Sequence, residues 1–134
     1  MRFVYALTIA VALLVGVLLA QSDADYQGWM KTVAATKGSL EKNIAAKDAA
    51  AVSADATKLG DTFKQVGGFW TKRGGAPDAV GFAKAAQDAA AAVSKDAAAG
   101  NWDQASADAK TVAAQCGQCH MAHREKGDSG FKIK

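Results

Sequence analysis

Cysteine, proline and aromatic residues are scarce in this chain: two Cys, one Pro and 7% Phe, Tyr and Trp among 134 residues. The two cysteines, Cys116 and Cys119, stand three positions apart. They cannot frame the fold, because a disulfide over so small a loop adds little stability on the loop-entropy argument. No strand pattern is expected anywhere in the chain, which argues against a sheet protein. There is no basic block and no interleaving of basic with aromatic residues, so a nucleic-acid partner is not expected. The net charge is +3, mixed in sign along the chain, and falls by one if Arg2 is lost. The lysines read as solvated helix faces.

What the chain has in quantity is alanine. Its length allows one domain. Half of the residues are apolar, but an alanine-rich core buries little area per residue. Such a fold gains much from a large apolar guest.

The N-terminus reads as a signal peptide. Arg2 supplies a positive start, residues 3–20 carry no charge, and the composition changes at once to QSDADY. Cleavage is expected after Ala20, and Ser22 and Ala24 also suit a cut after Ala24. The expected layout is a leader over 1–20, a folded domain over 21–126 and a flexible tail over 127–134. A membrane association is expected only if the leader stays uncleaved, since its apolar run approaches the ~20 residues that a span needs. Export bears on the cysteines: free thiols in an oxidising compartment tend to be oxidised, so a pair kept there exists for chemistry.

Four stretches show helical spacing of apolar residues. The first, over 25–46, carries Tyr26, Met30, Val33, Leu40 and Ile44. The second, over 49–66, carries Val52, Ala56, Leu59, Phe63 and Val66. The third follows Pro77, a good first-turn residue, carries Val80, Ala83, Ala86, Ala90, Val93 and Ala97, and ends at Gly100. The fourth starts from Asn101 as N-cap and carries Trp102, Ala105, Ala109, Val112, Cys116 and His120. Residues 67–77, GGFWTKRGGAP, hold four glycines and the proline and predict a break there. Short links with one longer crossover predict an all-α, antiparallel four-helix bundle.

The chemistry sits in the fourth stretch. CGQCH, residues 116–120, places two thiols and an imidazole at i, i+3 and i+4, which is one helical face. That face also carries Trp102, Ala105, Ala109 and Val112, so it looks inward. Three chemistries use such a string. In covalent haem attachment each thiol adds to a vinyl group at the porphyrin edge and the adjacent histidine reaches the iron. A structural zinc site wants four N or S ligands. Here the candidates, Cys116, Cys119, His120 and His123, crowd one helix and converge poorly. A redox dithiol of the thioredoxin kind sits near a strand-to-helix junction, and no strand is expected here. Haem is favoured over the other two.

With this string on a fourth helix, the chain resembles the class II cytochromes c, the cytochrome c′ family. The resemblance covers essentially the whole chain after the leader and is strongest in QCGQCHMAHRE. It implies an exported four-helix bundle with one haem c attached near the C-terminus. It implies Cys116 and Cys119 as the thioether residues, His120 as the proximal iron ligand and Arg124 as a neighbour of a haem propionate. The family has an aromatic residue at the position of His123, which is a departure.

Two branches of the family differ on the first helix. One leaves the distal face open and binds nitric oxide or carbon monoxide. The other ligates the iron with a methionine and carries electrons. Met30, in GWMKTV, falls at the position of that methionine. The resemblance therefore implies a periplasmic, His/Met-ligated electron carrier, not an enzyme, working with redox partner proteins. The five-coordinate gas-binding protein is the alternative, and Met30 is then a core filler. Dimerisation through the first two helices is also implied. Met121 reads as packing, and His123 as a partly exposed residue near a helix end. Trp29, Phe69, Trp70, Phe82 and Trp102 read as core or pocket lining, and Lys72 and Arg73 as a solvated loop within reach of a propionate.

Overall fold

The computed structural model describes the backbone of residues 2–134 and the side chains of residues 23–134, so the side chains of the leader expected over 1–20 lie outside the described residues. The fold consists of α1 (Arg2–Ala45), α2 (Ala49–Arg73), α3 (Pro77–Ala98), α4 (Trp102–His123), β1 (Arg124–Gly127) and β2 (Gly130–Ile133). Three residues separate each helix from the next, and links so short make neighbours antiparallel. α1 packs on α2, α2 on α3, α3 on α4, and α4 returns to α1, closing a four-helix bundle. Among the residues described, no helix is long and apolar enough to cross a membrane.

Local chemistry sets the turns. Asp48 caps α2 by accepting a hydrogen bond from the Ala51 amide at 3.0 Å. The α2–α3 turn needs left-handed backbone twice in succession, at Gly74 (φ 73°) and Gly75 (φ 74°), which glycine adopts without a Cβ clash. Pro77 then opens α3. Asn101 precedes α4 as expected but makes no side-chain capping bond.

Two expectations are corrected. Residues 67–73 do not break the chain: α2 runs through them to Arg73. Each helical glycine costs about 1 kcal/mol relative to alanine. Burying the Phe69 and Trp70 side chains on the core outweighs this, at ~1.5–3 kcal/mol for a residue of that size. A Cβ on Gly67 would lie 3.5 Å from the Ala83 Cβ, so the two backbones run close there. With the break reduced to 74–76, no longer crossover is needed.

The second correction is the tail, which forms a hairpin. β1 and β2 pair antiparallel with Arg124 opposite Ile133 and Gly127 opposite Gly130, and Gly130 takes φ 123° beside the turn. The alternation in GFKI after a short Asp-Ser turn carries that signal.

The core has two parts. The larger gathers Leu40, Val52, Leu59, Phe63, Val93 and Val112 with several alanines, and the half-buried Cys116 packs against it. The smaller is aromatic, built from Tyr26, Phe69 and Trp70 with Val66, Ala79 and Ala83, and Cys119 and Met30 pack against it. The stripes expected on α1, α2 and α4 supply most of these residues. On α3 the buried position of the first turns is Ala79 in place of Val80.

Candidate functional site

A cavity of about 400 Å3 lies between the two parts of the core. Val33 and Phe63 of the larger part line it, as do Tyr26, Val66, Ala79 and Ala83 of the aromatic part. Its walls are largely apolar, and its size is within the ~300–1,000 Å3 usual for small-molecule and cofactor pockets.

α4 delivers the string to this cavity. Cys116, Cys119 and His120 all line it, each half-buried. The helical spacing of i, i+3 and i+4 explains their shared face. Their neighbours differ: Cys116 touches the larger cluster and Cys119 the aromatic one. The two thiols thus straddle the seam and are unbonded to each other. Met30 reaches the same cavity from α1, half-buried.

Burial governs the protonation of the string. It pushes the Cys116 thiol up, with Lys37 opposing it. It takes Cys119 to about 11, helped by the negative charge of Asp78 and by Cys116. Both thiols are held protonated, the reverse of the depressed pKa that a reactive dithiol uses. Burial, with Arg124 adding repulsion, lowers the pKa of His120, which keeps its imidazole neutral and able to donate a lone pair. Among the described residues, no three His, Cys, Asp or Glu side chains converge on a point that could hold a bare metal ion.

The surrounding residues divide. His123 lines the cavity and hydrogen-bonds through Nε2 to the Asp78 carboxylate at 2.8 Å. An ionised carboxylate only accepts, so His123 is the donor. Its ring packs on Trp70 with centroids 4.9 Å apart, and the bond to His123 lowers the Asp78 pKa. In the position where the resemblance has an aromatic residue, this chain thus puts an imidazole tethered to α3 at its first turn. The sequence contained both residues, but nothing in it paired positions 45 apart.

Arg124 lines the cavity, with its guanidinium 4.0 Å from the centroid of Phe131. Phe82 lines it too, while Phe69 and Trp70 are core. Trp29 and Trp102 are half-buried, one against each cluster. Lys72 and Arg73 end α2 and line no part of the cavity. Arg73 instead pairs with Asp23 at 3.3 Å and lies over Phe69. Met121, read as packing, is 75% exposed, because it sits on the outer side of α4 one residue past His120. Trp70 Nε1 is buried without a hydrogen bond of regular geometry. It still interacts weakly with the Tyr26 hydroxyl, whose pKa burial drives up to about 12.

The arrangement offers two protonated thiols, a neutral imidazole and a thioether around one apolar space, with cations at its rim. Comparison with known protein families, with curated proteins and with solved structures finds no match.

Proposed function

We propose that this protein is an exported, periplasmic c-type cytochrome that carries single electrons on one covalently held haem. One observation carries the reading: Cys116, Cys119, His120 and Met30 line a single apolar cavity, contributed by the two helices at opposite ends of the chain. The residues fit the group. The thiols flank the cavity seam, the walls are apolar, and Arg124, Lys31 and Lys37 provide cations for its carboxylates.

Haem, when bound, supplies reversible one-electron chemistry at its iron. Cys116 and Cys119 would hold it covalently through their sulfur atoms. His120 from α4 and Met30 from α1 would supply a nitrogen and a sulfur donor to its iron. A sulfur donor with an imidazole raises the potential, and keeping both donors in both oxidation states limits reorganisation. Burial by Val33, Phe63 and Val66 excludes water. The protein's partners in this reading are redox proteins, and it is a carrier with no substrate of its own.

The test is the absorption spectrum of the exported protein, oxidised and reduced, with and without carbon monoxide. A low-spin spectrum indifferent to the gas is expected. Met30→Leu should convert it to a high-spin form that binds carbon monoxide, with the packing of α1 preserved because side-chain volume is kept. A wild-type spectrum that is already high-spin and shifts with the gas would assign the protein to gas binding and return Met30 to packing. Absence of haem from protein made in a host able to attach it would refute the reading.

A further inference from the structure

The C-terminal hairpin is not needed to close the helical bundle, yet it is pinned at the cavity. Ile133 packs on the aromatic cluster. The Lys134 amide donates to the His123 carbonyl at 2.9 Å, and Lys134 Nζ to the Met121 carbonyl at 3.2 Å. These bonds fold β2 back onto the last turn of α4. The cavity wall then includes Arg124, Phe131, Lys132 and Ile133. The register puts Arg124 opposite Ile133 and Lys126 opposite Phe131. Alternate residues share a face of a strand, so Arg124, Lys126, Phe131 and Ile133 stand on one side of the ribbon, while Lys132 pairs across with Glu125 on the other and still reaches the cavity rim.

That face is unusual for a solvated ribbon. Phe131 is 57% exposed although it lines a cavity wall. Arg124 lies over its ring, and Lys132 is engaged only by Glu125 at 3.3 Å, an exposed pair, of a kind that contributes little. A lone two-stranded hairpin is marginal in water. An aromatic ring, a β-branched side chain and two cations at the mouth of an apolar cavity match one kind of occupant: a flat apolar ring system that carries carboxylates at its edge.

We propose that the hairpin is a cofactor-binding element, with Phe131 and Ile133 covering the edge of the haem and Lys132, from the cavity rim, adding a further cation for its propionates. The proposal rests on the haem reading. It makes Phe131 and Lys132 positioning residues of the site, and it makes the hairpin's order depend on the loaded cavity.

The experiment is hydrogen exchange read by mass spectrometry on the full-length, haem-loaded protein, with the intact mass reporting attachment. Residues 124–133 should be protected in the loaded wild type. Phe131→Ala with Lys132→Gln should lose about tenfold of that protection, equivalent to about 1.4 kcal/mol of local opening, while α2 and α3 are unchanged and the haem mass is retained. In unloaded Cys116→Ser/Cys119→Ser protein the same pair of substitutions should have no effect on the hairpin. Should that protein fail to fold, the reduction potential decides: Lys132→Gln alone should lower it, because losing a nearby cation favours the more positive ferric form. A loaded wild type whose hairpin exchanges freely, or a potential untouched by Lys132→Gln, would overturn the role of the hairpin and leave the haem reading standing. A chain without haem mass would overturn both.

Discussion

The seam between α2 and α3 and the seam between α1 and α4 are built on opposite plans. The first is closed. Ala79, Ala83, Ala86 and Ala90 of α3 are buried, Gly67 of α2 lies against Ala83, and small side chains let the two helices approach closely along their length. The second is open: α1 and α4 meet far less, and between them lies the cavity with Met30 and Lys37 on one side and Cys116 and His120 on the other. Alanine that would leave a bundle poorly filled is an asset where backbones can close on each other. Where they do not close, the space is lined with groups able to hold a guest. On the haem reading proposed above, the two halves of the bundle depend on different things, one on its own packing and one on what it contains.

The largest effect should come from the open seam. Cys116→Ser/Cys119→Ser should abolish covalent haem, read as loss of the haem mass, and lower the midpoint of thermal unfolding followed by helical circular dichroism. If unfolding is unchanged, the open seam stands without a guest and the contrast fails. Next comes the closed half. Leu59 is fully buried, and Leu59→Ala should cost about 2–5 kcal/mol in denaturant unfolding, the usual range for a cavity of that size. This cost should persist in the haem-free protein.

A smaller change of opposite sign tests whether α2 is helical through its glycines. A Cβ added at Gly68 would meet nothing within 4 Å, so Gly68→Ala should stabilise by about 0.5–1 kcal/mol through helix propensity. Destabilisation would mean that the chain turns there as its composition suggests. The smallest effect concerns pH. The folded pKa of Asp78 is depressed by its bond to His123. Its contribution is therefore present above the ordinary value of 3.8 and lost as the pH falls through the lower folded value. Asp78→Asn should be less stable than wild type near neutrality, and the gap should close in acid. A gap independent of pH would deny the carboxylate that role.

The parts of this molecule legible in the sequence are those governed by local periodicity. Val52, Ala56, Leu59, Phe63 and Val66 keep helical spacing, and all are buried. Cys116, Cys119 and His120 share a face because their separations dictate it, and the structure brings them to one cavity. Met30, placed inward by the α1 stripe and singled out by resemblance, lines that cavity too. The misread parts are those where a tertiary contact overrode a local preference or where the pairing is distant. Glycine at 67 and 68 argued for a turn, but burial of Phe69 and Trp70 carried the helix onward. GDSGFKIK looked like a solvated tail because its apolar residues, Phe131 and Ile133, are few. Their value lies in a cavity whose other wall, on α1, comes from about a hundred residues earlier in the chain. The Asp78–His123 bond is of the same kind: two ordinary surface residues until the bundle closes.

The open seam also has a consequence in time. Contacts between α1–α2, α2–α3 and α3–α4 join neighbours across three-residue turns, whereas α1–α4 contacts join the two ends of the helical array. Loop-closure entropy grows with the length of chain enclosed, and contacts between distant residues are the slow ones to form. On that argument the seam that carries the thiols is expected to be the last to close during folding. If the cysteines take a bulky cofactor as proposed, they lie where the folding order itself would keep the door open longest.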